Sequence, residues 1–118
     1  MKPDDPFPAR VTALLQPLGP VRARAMFGGC GVFLDDAMLA ITASERLYFK
    51  VDDETVGCFI AAGSAPFTYQ RDGRTLALSF REAPDGSLED PEALLEWARL
   101  AHEAALRTRR KKSRKRKT

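Results

Sequence analysis

Val11, Leu14, Leu15 and Leu18 recur at the three- and four-residue spacing that gives a helix one apolar face. Asp5 before Pro6 supplies a cap followed by a proline at the first helical position. Pro17 removes a backbone donor and Gly19-Pro20 stops the element, so this helix ends near Leu18. From Val21 to Val51 the period shortens. Ala25-Met26-Phe27, Val32-Phe33-Leu34, Met38-Leu39-Ala40-Ile41-Thr42 and Leu47-Tyr48-Phe49-Lys50-Val51 are short apolar runs, the later ones separated by Asp35-Asp36 and Ser44-Glu45-Arg46. Leu47, Phe49 and Val51 alternate with Tyr48 and Lys50, as a strand with one buried face requires. Connections this short allow hairpins and forbid parallel crossovers, which predicts an antiparallel meander.

Asp52-Asp53-Glu54 opens a second helix, with acids where the helix dipole favours them. Val56, Phe59 and Ile60 form its stripe, and Gly63 is a left-handed stop. Pro66-Phe67-Thr68-Tyr69 and Thr75-Leu76-Ala77-Leu78-Ser79-Phe80 read as strands joined at Arg71-Asp72-Gly73, a hairpin signal. Asp90 then caps a last helix with Pro91 at its first position and Leu94, Leu95, Ala98, Ala101 and Ala105 along its inner side. The order α-β(3)-α-β(2)-α predicts a two-layer α+β domain with an antiparallel sheet.

A chain of 118 residues has room for one ordinary domain, and 44% apolar residues suffice for its core. No apolar run approaches the ~20 residues that span a bilayer. The opening MKPDDPFPAR has aspartates and prolines where a signal peptide is apolar, so the expected location is cytoplasmic, with Cys30 and Cys58 as reduced thiols.

Charge divides the chain more sharply than the net +3 implies. Residues 107–118, RTRRKKSRKRKT, carry nine cations and no acid, whereas residues 1–106 hold ten basic and sixteen acidic side chains, a net of −6. The reading is an acidic domain, 1–106, and a basic arm, 107–118, that is mostly disordered or helical for a few residues. Arg107, Arg109, Arg110, Lys111, Lys112, Arg114, Lys115, Arg116 and Lys117 are the candidate nucleic-acid contacts. Such contacts would be salt-dependent and blind to sequence. A tail that only solubilises is the alternative.

The rest of the chain shows no constellation that reads as catalytic. Gly28-Gly29-Cys30-Gly31 could donate backbone amides to a phosphate, yet it runs into a strand rather than a helix, so a bulge or close backbone approach explains it better. A lone His102 and two cysteines 28 residues apart lack the ligands for a zinc site. His102 reads as a core-edge residue and Trp97 as core. The acid pairs Asp4-Asp5, Asp35-Asp36, Asp52-Asp53 and Glu89-Asp90 sit at turns and helix starts, where capping accounts for them. Arg22, Arg24 and Lys50 lie in or beside strands and could make one sheet face positive. No metal or cofactor is expected.

Arg24-Ala25-Met26-Phe27-Gly28-Gly29-Cys30-Gly31-Val32-Phe33 resembles the R-x-M-F-G-G-x-G-[aliphatic]-[aromatic] stretch of the TfoX/Sxy N-terminal domain family. Leu47-Tyr48-Phe49-Lys50-Val51-Asp52, Ala65-Pro66-Phe67-Thr68-Tyr69 and Glu89-Asp90-Pro91-Glu92-Ala93-Leu94-Leu95-Glu96-Trp97-Ala98 are similar to its later segments, in the same order over residues 8 to 106. The resemblance implies an α-β(3)-α-β(2)-α fold. It also implies a relation to bacterial regulators of natural competence, which help a cyclic-AMP receptor protein at a subset of promoters. It carries over no enzymatic activity. The motif positions are Arg24, Met26, Phe27, Gly28, Gly29, Gly31 and Lys50, with Cys30 at a variable place. Those regulators have a second domain where this sequence has the basic arm.

The expectation is a non-enzymatic, stand-alone accessory or adaptor protein, associated with transcription. It would act by contact with a protein partner, and weakly with nucleic acid through the arm. Two other readings stand beside it. One is a small-ligand domain or enzyme with a pocket near Arg24, Cys30 and Lys50. The other is a self-associating module, a homodimer in the simplest case.

Overall fold

The computed structural model describes residues 6–26, 29–43 and 45–116, with backbone alone at 26, 69–71, 75–78 and 111–116. Helix α1 spans Pro6–Leu15 and passes into a short 3-10 turn, Gln16–Leu18. Strands β1 (Arg22–Met26), β2 (Gly29–Leu34), β3 (Ala37–Ala43) and β4 (Arg46–Lys50) follow. Helix α2 covers Val56–Ala61, strands β5 and β6 cover Pro66–Arg71 and Arg74–Glu82, and helix α3 runs from Pro91 to Arg116. The six strands form one antiparallel sheet in the order β1-β2-β3-β4-β6-β5.

Four strands therefore precede α2, one more than the periodicity gives. The additional strand is β1, whose Arg22, Ala23, Arg24 and Ala25 are all exposed at the sheet edge, so it carries no alternation to read. The two-residue turns at Asp35-Asp36 and Asp72-Gly73 hold both central residues at positive φ (54° and 61°, 53° and 75°). That left-handed pair matches the twist of the strands it joins, and Asp and Gly accept it readily.

Helices α1 and α3 cover one face of the sheet. Val11 and Leu15 of α1, Leu94, Ala98 and Ala101 of α3, and Val32, Leu34, Leu47 and Phe49 of the strands make up the main core, with Phe59 of α2. Trp97 packs at the edge of this core, its ring centroid 4.7 Å from that of Phe59. Across the sheet, a second cluster buries Ile41, Phe67 and Phe80 beside Met38 and Tyr48. Ile60 departs from its expected place: it is 55% exposed. In a helix of six residues Phe59 takes the inward position, and its neighbour is turned away.

The glycine stretch and the arm complete the fold. Phe27 and Gly28 lie outside the described residues, as do Asp4, Asp5 and Lys117. Gly29 is buried in β2, and a Cβ there would stand 2.0 Å from the Thr42 carbonyl oxygen of β3. The glycine is thus demanded by close backbone approach. The arm, expected to be mostly disordered or helical for a few residues, is helical and continues α3 to Arg116. Its root is already helical and packed, so the costly nucleation step is done and each further residue only propagates the helix. Arginine and lysine are good helix formers.

Gly29→Ala is expected to destabilise the fold by about 3 kcal/mol, since backbone must move to admit the methyl group. Gly57→Ala, with open space around its Cα, should leave stability unchanged or raise it by about 0.5 kcal/mol. Urea unfolding of both variants measures the contrast.

Candidate functional site

The arm's root is where the charged residues of the chain converge. Arg107 donates two parallel hydrogen bonds to the Asp52 carboxylate, Nε to Oδ2 at 2.5 Å and Nη2 to Oδ1 at 3.1 Å. Its Nε also lies 3.0 Å from Glu54 Oε2. The Arg107 and Asp52 side chains are 21% and 14% exposed, so the pair is largely shielded from water. Asp52 has a second duty. Its Oδ1 accepts from the backbone amides of Glu54 and Thr55 and from the Thr55 hydroxyl, which builds the turn leading into α2. The helix proper starts four residues later than that aspartate, at Val56.

The opposite flank of α3 is held at the β2–β3 turn. Arg109 donates from Nη1 to the Asp35 carbonyl oxygen at 2.7 Å. His102 places Nε2 3.6 Å from Asp35 Oδ2, beyond hydrogen-bond length, and that buried nitrogen has no hydrogen-bond partner. Helix α3 therefore leaves the domain between the end of β4 and the β2–β3 turn, tied to both. Beside this exit Met38, Lys50, Phe80, Ala105, Thr108 and Arg109 line a shallow pocket of about 130 Å³.

Among the expected nucleic-acid contacts, Arg107 thus belongs to the domain's own ion pair, and Arg109 is tied by one of its nitrogens. Arg110, Lys111, Lys112, Arg114, Lys115 and Arg116 lie further along the helix. Because a folded element carries them, the arm has a defined direction that a coil would lack.

The family-motif residues fall on two hairpins. Arg24 and Met26 are in β1, and Gly29 and Gly31 in β2, with Met26 paired to Gly29 and Arg24 to Gly31. Arg24 stacks its guanidinium over Phe33 at 5.8 Å, and Lys50 places its ammonium over Phe80 at 5.2 Å. Arg22 faces Asp36 at 3.6 Å on the open surface.

Arg24, Cys30 and Lys50 are not brought together. Cys30 is buried and alternates with Gly31, the partner of Arg24, so it points to the other face of the sheet. Lys50 lies three strands from Arg24, about 14 Å at ordinary strand spacing. Cys58 is exposed on α2 and forms no disulfide with Cys30. Cys30 lies five residues from the Asp35 turn, about 16 Å along the strand, and no Cys–His pair assembles there. Among the described residues no three His, Cys, Asp or Glu cluster as metal ligands would.

Among the described residues, Asp52, Arg107 and Tyr48 titrate away from their ordinary values, with Arg107 raised chiefly by its hydrogen bonds to Asp52. The Arg107 hydrogen bonds hold the Asp52 carboxyl down at about 2 against an ordinary 3.8, with burial opposing. Burial pushes the Tyr48 hydroxyl up, helped by Glu82 and opposed by Arg46. The Asp52–Arg107 pair escaped the sequence reading, and no local signal announces it. Its members are 55 residues apart, and each has a sufficient local explanation, one as a cap and the other as the first charge of a run.

A carboxyl held near 2 favours the folded state by about 2 kcal/mol at neutral pH. The unfolded chain binds the proton more readily, so this contribution is complete above about pH 4 and fades as pH falls through about 2. Asp52→Asn keeps the capping oxygen and removes the charge. Urea unfolding should show it about 1–2 kcal/mol less stable than the parent at pH 7 and indistinguishable near pH 2.

No helix among the described residues is long and apolar enough to cross a membrane. Comparison with curated proteins returns no match. The family model for the TfoX N-terminal domain matches residues 13–105. That span takes in every strand, α2 and the part of α3 packed on the sheet, and it stops two residues short of Arg107. With this architecture and a match over most of its length, the chain belongs to the TfoX N-terminal domain family.

Proposed function

We propose that this protein is a non-enzymatic accessory or adaptor of the TfoX kind, cytoplasmic and associated with transcription. Its acidic domain docks a protein partner, and its basic arm holds nucleic acid weakly and without sequence preference. One observation carries the reading: the charge is segregated, −6 on residues 1–106 against nine cations on 107–118, and the arm's root is tied to the domain by Arg107. A tail that folded back on the acidic domain would neutralise itself there. In support of the open arm, α3 continues to Arg116, past Arg107 and Arg109, whose hydrogen bonds tie it to the domain. Family membership supports a link to transcription and competence, because that is what the resemblance to the TfoX/Sxy regulators implies.

The arm's share of this function is measured by salt. With about four phosphates neutralised, log affinity for random duplex DNA should fall with a slope near −3.6 in log salt, and doubling the salt should weaken binding about twelvefold. A chain ending at Arg109 keeps both ties to the domain and should lose most of that slope. Identical, salt-insensitive behaviour of the two chains would remove nucleic acid from the function.

A further inference from the structure

The arm's backbone, and not only its charge, bears on the partner. Resting on the reading that the arm holds nucleic acid, we infer that residues 110–116 enter the major groove of duplex DNA as an α-helix. Neither glycine nor proline occurs between Glu92 and Thr118, and α3 continues unbroken to Arg116. Its direction is set at the root by Arg107 on Asp52 and Arg109 on the Asp35 carbonyl. A helix with its side chains is about 10–12 Å across, and the major groove of B-form DNA is about 12 Å wide. The major groove of A-form RNA is deep and too narrow to admit it.

Sequence spacing suits that seat. At 100° per residue, cations at 110, 111, 112, 114, 115 and 116 are distributed around the helix axis, so phosphates on both walls of a groove have a cation to meet. Basic-region helices that fork from a folded dimer use the same geometry. The arm has no Asn or Gln for adenine, and its role is grip rather than sequence readout. Because the helix precedes binding, its docking adds side-chain ordering but no backbone ordering, in contrast to a disordered polycation.

Ser113 permits a test that leaves every charge in place. Ser113→Pro breaks the helix beyond Arg109, which is hydrogen-bonded to the domain, and Ser113→Ala preserves it. Fluorescence anisotropy with the full chain on a 20-base-pair duplex DNA and the duplex RNA of the same sequence, at one low salt concentration, reads the outcome. S113P should lose at least about tenfold in affinity for the DNA, with S113A within about twofold of the parent. The parent should favour duplex DNA over duplex RNA by at least about tenfold. Thermal melting shows that the S113P domain remains folded. S113P binding within about twofold of the parent, or equal affinity for the two duplexes, overturns the helical seat while leaving a flexible polycation in place. Absence of binding to either duplex by the parent at this low salt concentration overturns both this inference and the reading on which it rests.

Discussion

Asp52 is the joint at which three elements of this domain meet. It follows the end of β4, its Oδ1 builds the turn into α2, and both of its oxygens receive the guanidinium of Arg107 from α3. A carboxylate so placed is nearly saturated with donors, which is why its proton is held so loosely. The pair is bidentate and largely shielded, the geometry in which an ion pair contributes more than the small amount typical of exposed pairs. Removing either partner would leave the other's charge short of hydrogen bonds in a poorly hydrated place. The last helix could slide or swing if it rested on Leu94, Ala98 and Ala101 alone, because small apolar contacts are weakly directional. Arg107 and Arg109 fix where it leaves the sheet.

How far the sequence discloses this arrangement depends on the range of the interaction. The hairpins were legible because their determinants are adjacent: Asp35-Asp36 and Asp72-Gly73 specify left-handed turns without help from elsewhere. Strand β4 was legible because Leu47 and Phe49 are buried in the main core while Tyr48 and Lys50 are only partly buried on the opposite face. Strand β1 was missed as an element because an exposed edge strand imposes no pattern on its side chains. The demand at Gly29 was half visible. Close approach was the favoured explanation, but that the obstacle is the Thr42 carbonyl is a fact of register between two strands. The Asp52–Arg107 pair lay out of reach for the same reason: topology, not spacing, makes those residues neighbours.

The arm shows the same limit from the other side. A run of like charges usually reads as coil because it has nothing to bury. Here its conformation is inherited from Leu94 through Ala105, which are packed, and a helix once begun extends cheaply. Composition described the arm's charge and allowed it a few helical residues, and the helix runs on to Arg116. The family match, which stops at residue 105, covers the packed part and does not include the extension.

That extension also sets a distance. Seven residues from Arg110 to Arg116 amount to about 10 Å of helix, close to the Debye length of about 8–10 Å at physiological ionic strength. An anionic lattice gripped at the tip would stand roughly one screening length from the carboxylates at the root, Asp35, Asp52 and Glu54, where their repulsion has decayed about threefold. A limp tail could offer no such stand-off, because its cations would wander back toward the acids they are meant to leave behind. The rod is a spacer as well as a handle.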